Sequence, residues 1–193
     1  IIDEAGEFVL KTLEENDVRT ELWLSFNDGF FAGLTDAEKL DKAVKAIDVL
    51  HRKAADIGCS LQLYNHGGWF GEPENQVRII KSLGAGDIGI VYNFHHGHDQ
   101  VQDFPRLLKI MKPYLTTVNI NGMRKEGPMI LPVGQGDEEL AMLKALKASG
   151  FKGTIGILSH TDEEDAKVVL RRNLEGLKSL LTKMGETQAL STY

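Results

Sequence analysis

The sequence predicts an α/β fold built on a parallel sheet, and three observations lead to it. Apolar periodicity switches repeatedly between a two-residue and a 3.6-residue repeat. Five strand-like segments alternate with helix-length segments, the long return connections that parallel neighbours require. Neither a low-complexity linker nor any repeat beyond this alternation interrupts the 193 residues. Periodicity alone leaves open whether the sheet is open and doubly wound or closed, since five β/α units are fewer than the eight of a barrel of about 250 residues.

Each element has its own signal. Phe8, Leu10 and Leu13 mark an opening helix that stops near Asn16, and Glu21 to Phe26 reads as a strand. Thr35 and Glu38 form a capping box for a long helix with the stripe Leu40, Val44, Ile47, Leu50 and Ala54, ended by Gly58. Ser60 to Asn65 is a strand that leads through a Gly-rich loop to a helix opening near Pro73. Asp87 to Asn93 is a strand, Val101 to Met111 a helix, Thr116 to Asn121 a strand, Glu138 to Ala148 a helix and Thr154 to Leu158 the last strand. Thr161 and Glu164 read as a capping box for a closing helix striped by Leu170, Leu174, Leu177 and Leu181.

Composition narrows the class of function. Hydrophobic residues make up 42% and charged residues 26%, as in an ordinary folded domain. A net charge of −6 repels a phosphate backbone, so nucleic acid is not expected as a partner. No apolar run reaches bilayer-spanning length, and no membrane partner is expected. The single cysteine, Cys59, cannot form an internal disulfide, which fits a reducing, cytoplasmic setting and leaves export open. The chain opens at Ile1 without methionine, so upstream residues are expected to be missing.

Five of the six histidines follow predicted strands: His66, then His95, His96 and His98, then His160. Parallel sheets bind ligands at the carboxyl ends of their strands, so these side chains collect at one rim. Asn65, Asn93, Asn119, Asn121 and Gln135 gather there too, with Trp69 and Phe70 offering flat apolar faces. Neutral donors and acceptors beside an aromatic face suit a polyhydroxylated small molecule. Strand alternation places Tyr64 with Gln62 and His66, Asn93 with Val91, and Asn119 with Asn121; the opposite parity would select Asn65, Tyr92 and Ile120.

Other motifs fail on context. Gly84, Gly86 and Gly89 match a dinucleotide-binding fingerprint but precede a strand, so no helix N-terminus faces a phosphate. Gly134 to Asp137 opens a helix, yet Asp137, Glu138 and Glu139 put negative charge there, which favours a capping role. The His95, His96 and His98 spacing, lacking a nearby cysteine or carboxylate triad, is a weak metal signature. The chain contains no nucleophile elbow and no P-loop.

The stretches LYNHGGWFGEPENQ from Leu63, GIVYNFHHGHD from Gly89, VNINGM from Val118, ILPVGQGD from Ile130 and GTIGILSHT from Gly153 resemble the xylose-isomerase-like TIM-barrel superfamily, and within it sugar phosphate isomerase/epimerase-like proteins. The resemblance runs from Glu21 to Leu181. It implies that residues 1–193 form one (β/α)8 domain represented by its last five β/α units, with three units missing upstream. It also implies a divalent metal (Mn, Co or Zn) held by Glu, Asp, His and Glu at successive strand ends, and isomerisation of sugars through enediol or hydride-shift chemistry. The matching positions are Tyr64, Asn93, Asn119 and Leu158, and none keeps the family residue. His96 matches the histidine that follows the family Asp by three residues. No cofactor is therefore expected, and the metal ligands read as replaced.

The functional expectation is a sugar or keto-sugar isomerase or epimerase that abstracts a proton beside a carbonyl. His66 and His96 are its candidate acid/base residues, and Tyr64, Trp69, Asn93, His95, Asn119, Asn121 and His160 its candidate substrate contacts. The alternative is a non-catalytic carbohydrate-binding barrel that has lost the metal. A zinc-dependent DNA-repair enzyme on the same barrel would need a basic face and zinc ligands that the sequence lacks.

Overall fold

The computed structural model describes residues 2–160 and 163–192. Five strands, β1 (Glu21–Leu24), β2 (Ser60–Tyr64), β3 (Gly89–Asn93), β4 (Leu115–Ile120) and β5 (Thr154–Ile157), form one sheet in the order β1-β2-β3-β4-β5. The β1–β2, β2–β3 and β4–β5 ladders are parallel. Spatial order that follows chain order without reversal is the winding of a β/α barrel; a doubly wound sheet reverses at a switch point. The doubly wound alternative is thus set aside. Helices α1 (Glu4–Glu15), α2 (Asp36–Asp56), α3 (Gly68–Gly71), α4 (Pro73–Leu83), α5 (Phe104–Met111), α6 (Glu139–Ala148), α7 (Ala166–Met184) and α8 (Thr187–Leu190) occupy the connections. The chain clusters into two compact units, residues 1–91 and 92–193.

In the first unit, the signals for helix starts hold. Thr35 and Glu38 make the reciprocal capping box of α2, Pro73 sits in the first turn of α4, and Gly84 ends α4 at φ +64°. Two apolar stripes need correction. Phe8 is 69% exposed, while Leu10 and Leu13 pack with Leu22 on Ala54, Ile57 and Cys59. In α2 the fully buried positions are Ala43, Ala46, Ile47 and Ala54, so the packed face is rotated off Leu40 and Leu50. Small alanines let a 21-residue helix lie close to the sheet, which a hydrophobicity stripe does not reveal. β1 stops at Leu24, two residues short of the predicted end. Its continuation turns into a 3-10 helix, Asp28–Phe31, whose N-cap is the Asn27 carboxamide accepting from the Phe30 N–H at 3.1 Å.

The second unit differs from expectation mainly between its regular elements. The stretch 95–103 is a nine-residue 3-10 helix leading into α5, where an open loop and an earlier α-helical start at Val101 were expected. At the closing helix, Thr161 lies outside the described residues; Asp165 is the N-cap of α7, accepting from the Lys167 and Val168 N–H groups, and Glu164 pairs with Arg172. Leu170 is 52% exposed, and the buried positions of α7 are Val169, Asn173 and Leu180. The packed face is shifted because Asn173 is drawn inward by two buried hydrogen bonds: its oxygen accepts from Val133 N–H at 2.8 Å and its amide donates to Val169 C=O at 2.9 Å.

The β4–α6 connection, 121–138, is held from within. Glu139, 1% exposed, accepts from the N–H groups of Gly136 at 2.9 Å, Gly134 at 3.1 Å and Met123 at 3.4 Å. The glycines expected to cap a helix are instead a backbone cradle around this carboxylate. At Gly176 of α7 an added Cβ would run into the Val133 carbonyl, so only glycine lets the loop lie against the helix. Glu139→Ala should orphan these donors and lower unfolding free energy by about 3 kcal/mol, read as a lower urea midpoint at unchanged m. A shift below about 0.5 kcal/mol would show that the cradle does not hold the loop.

Candidate functional site

Within the first unit, β1 and β2 pair Trp23 with Gln62, which puts Trp23, Gln62 and Tyr64 on one face of the sheet. The Tyr64 ring lies 5.8 Å from the Trp23 ring and 6.0 Å from that of His66. His66 is exposed, two residues past the strand. Asn65 has the opposite parity and is buried, and its N–H extends the ladder to Val91 C=O at 3.2 Å.

Trp69 is committed more tightly than a free platform would be. Its indole N–H donates to Asp36 Oδ1 at 2.8 Å, and its carbonyl accepts from Asn75 at 2.8 Å. Arg78 grips the same Asp36 with both terminal nitrogens, at 3.2 and 2.7 Å, and also donates to Asn75 at 2.9 Å. The Arg78 hydrogen bond and then the indole N–H bring the Asp36 pKa from its ordinary 3.8 down to about 2. The ring is thereby fixed against Phe31, with centroids 5.2 Å apart.

The second unit carries an imidazole and amide cluster at its strand ends. Asn93 is fully buried as the last residue of β3, and its side-chain oxygen accepts from the His95 N–H at 3.1 Å, a local turn that starts the 3-10 helix. That helix presents His95 and His96 side by side, with ring centroids 4.6 Å apart, both partly buried. The exposed His160, three residues past β5, brings its ring to 5.8 Å from that of His95. Asn119, on β4, directs its carboxamide oxygen at Gly156 of β5, where any Cβ would collide with it. Gly156 thus leaves room for the Asn119 carboxamide as it stands, a feature that strand alternation of the polar residues alone did not single out.

Two candidates serve the surrounding framework. His98 bonds through Nε2 to the Arg124 carbonyl at 2.7 Å, with Nδ1 3.5 Å from Asp99, so it ties the 3-10 helix to the loop after β4. Asn121 is fully buried and donates to the carbonyls of Gly122 and Met129, both at 2.8 Å, which holds that loop on the strand end.

The sequence resemblance implies a divalent metal with ligands at positions 64, 93, 119 and 158. Positions 64, 93, 119 and 158 supply a phenol, two neutral amides and an aliphatic chain, where such an ion takes carboxylates and imidazoles. Among the described residues, no group of three or more His, Cys, Asp or Glu side chains is placed to hold a metal ion. Among them too, no helix is long and apolar enough to cross a membrane.

No protein-family model matches the chain, and no curated protein matches it significantly. Solved structures do match. An L-ribulose 3-epimerase superposes with a TM-score of 0.71 at 13% identity, over 97% of this chain and 72% of that one. A D-tagatose 3-epimerase-like protein gives 0.65 at 18% identity, over 93% and 68%. A xylose isomerase domain-containing protein from Salmonella typhimurium LT2 gives 0.67 at 14% identity, over 92% and 69%. The chain has the xylose isomerase-like fold. At such identities the likeness speaks for the fold. Within the units, Tyr64 closes β2, Asn93 closes β3 and Asn119 is the penultimate residue of β4.

The Asp36 network yields a pH prediction. A carboxyl held at about 2 in the fold contributes stability that is complete above its unfolded value of 3.8 and is lost as pH falls through about 2. In Arg78→Gln the Asp36 carboxyl resonance, followed by carbon-detected NMR, should titrate nearer 3.8, and the acid loss of stability should begin at correspondingly higher pH. An unmoved midpoint would mean that Arg78 does not govern the group.

Proposed function

We propose that this chain is a sugar isomerase- or epimerase-like protein that removes a proton beside the carbonyl of a sugar or keto-sugar, with His96 as the acid/base group. The observation that carries the proposal is the paired imidazoles of His95 and His96 at 4.6 Å, launched by Asn93 from the end of a parallel strand. Imidazole ordinarily titrates near 6.5, so it can accept and return a proton at neutral pH. The C–H bond breaks toward the His96 nitrogen and its electron pair moves into the carbonyl, giving an enediolate. Return of the proton to the former carbonyl carbon, with the proton of the neighbouring hydroxyl passing to the former carbonyl oxygen, completes an isomerisation. Delivery to the opposite face of the same carbon by a second imidazole completes an epimerisation. Asn119 supplies an amide near the end of β4 for a substrate oxygen, Asn93 from beneath holds the turn that carries the imidazole pair, and His160 adds a third imidazole. His66, exposed past β2, is the other acid/base candidate. The names of the structural neighbours, 3-epimerases of ribulose and tagatose type, support a sugar as the ligand class.

A second reading, carbohydrate binding without turnover, is favoured by the four neutral residues at the family's metal positions. Proton exchange separates the two. D-fructose, D-tagatose and L-ribulose incubated with the protein in D2O should gain deuterium beside the carbonyl, detected by NMR. His96→Ala should slow this by about 100-fold with a melting temperature within about 2 °C of the parent, and His95→Ala should have a smaller effect. Saturable sugar binding without exchange establishes the binding protein, and a lowered melting temperature with unchanged ligand affinity would make His96 a purely structural residue.

A further inference from the structure

The first unit holds a cleft of about 250 Å3 that the imidazole rim does not use. It opens just past the carboxyl ends of β1 and β2, on the segments 26–33 and 67–70, the edge at which parallel sheets receive ligands. Its walls are Phe26, Phe31, Trp69 and Phe70, and its polar members include Asn27 and Lys39. The rings are set rigidly. Phe26 meets Phe70 edge-on at 4.9 Å, and Trp69 cannot swing because its N–H is held by Asp36.

Most of the described charged side chains beside the cleft are engaged within the protein. The Asp36 carboxylate is occupied by the Arg78 fork and the Trp69 indole. Glu38 is turned back onto the Thr35 N–H and hydroxyl, at 2.8 and 2.7 Å, in the capping box. Lys42, one turn beyond Lys39, is spent on the Phe30 carbonyl and lies over the Phe30 ring at 4.2 Å. Lys39 is half-buried on the cleft wall; its charge acts on the Asp36 carboxylate from a distance, and Asp36 makes its ion pair with Arg78. Asn27 uses its oxygen to cap the 3-10 helix, which leaves its NH2 as a donor.

We propose that this cleft binds a monosaccharide-sized ligand through an anionic group, carboxylate or phosphate, paired with Lys39, while a sugar face lies on Trp69 and Phe31 and Asn27 donates to a hydroxyl. The size supports a small occupant, because pockets for drug-sized molecules run from about 300 to 1,000 Å3. A half-sheltered ammonium gives a charge-assisted hydrogen bond stronger than a neutral one, so the anion sets the preference. The inference is independent of the acid/base reading of the second unit.

Calorimetric titration of the full chain with D-gluconate, D-glucose 6-phosphate and D-glucose tests it. Both anions, or one of them, should bind at least about tenfold more tightly than D-glucose, and the stronger of the two identifies the accepted group. Lys39→Met should abolish that preference while leaving the weak D-glucose binding and the melting temperature unchanged, and Lys39→Arg should retain it. Equal affinity for all three probes, no binding of either anion, or undiminished anion binding by Lys39→Met would each overturn the proposal.

Discussion

A single buried carboxylate organises the second unit. Glu139 stands at the first turn of α6, where a negative charge already suits the helix dipole, and it turns back to collect backbone N–H groups from the segment that precedes it. Without an internal acceptor those amides would be buried and unsatisfied, because the loop lies beneath α7 with no room for a side chain at Gly176. Asn173 and Asn121 complete the arrangement by bonding the loop at Val133, Gly122 and Met129. His98 then couples the histidine-bearing segment to Arg124 in the same loop. The placement of His95 and His96 therefore depends on a glutamate that touches neither.

The first unit uses charge differently. Asp36 lies at the surface, so its ion pair with Arg78 contributes little to overall stability. Its value is positional: one carboxylate orients an indole and an arginine together, and fixes the loop after β2 relative to the start of α2. The indole ring keeps a defined face while its polar edge is consumed by the protein. Trp69 was chosen from the sequence as a ligand platform, and the physical basis for that choice, a flat apolar face at a strand end, is the part of the residue that the network leaves available.

Elements with strong local chemistry were readable in advance. The Thr35/Glu38 box, Pro73 and Gly58 fix helix limits through interactions within a few residues, so their outcome does not wait for tertiary contacts. The segment 95–103 was not readable, because its apolar positions follow no α-helical period and its geometry is set by Asn93 and by a carbonyl 26 residues away. The same holds for the packed face of α7, which Asn173 turns inward against the leucine pattern. At the rim, the nearness of His95 and His96 followed from sequence adjacency, and the rule that strand ends converge brought in His160. Gly156 escaped notice because its role is the space it leaves for Asn119, and an absence of side chain carries no chemical signature in a sequence.

The long 3-10 helix has an energetic meaning of its own. Runs beyond three or four residues are uncommon because the tighter turn strains its hydrogen bonds, so this nine-residue segment is less stable per residue than the α-helix that follows it. Local opening should begin there, while Gly97 and Val101, buried on its inner side, limit how far it proceeds. His95 and His96 are thus mounted on a segment that opens more readily than an α-helix of the same length, where fraying by a single turn would change the spacing of two imidazoles and leave the sheet beneath them intact.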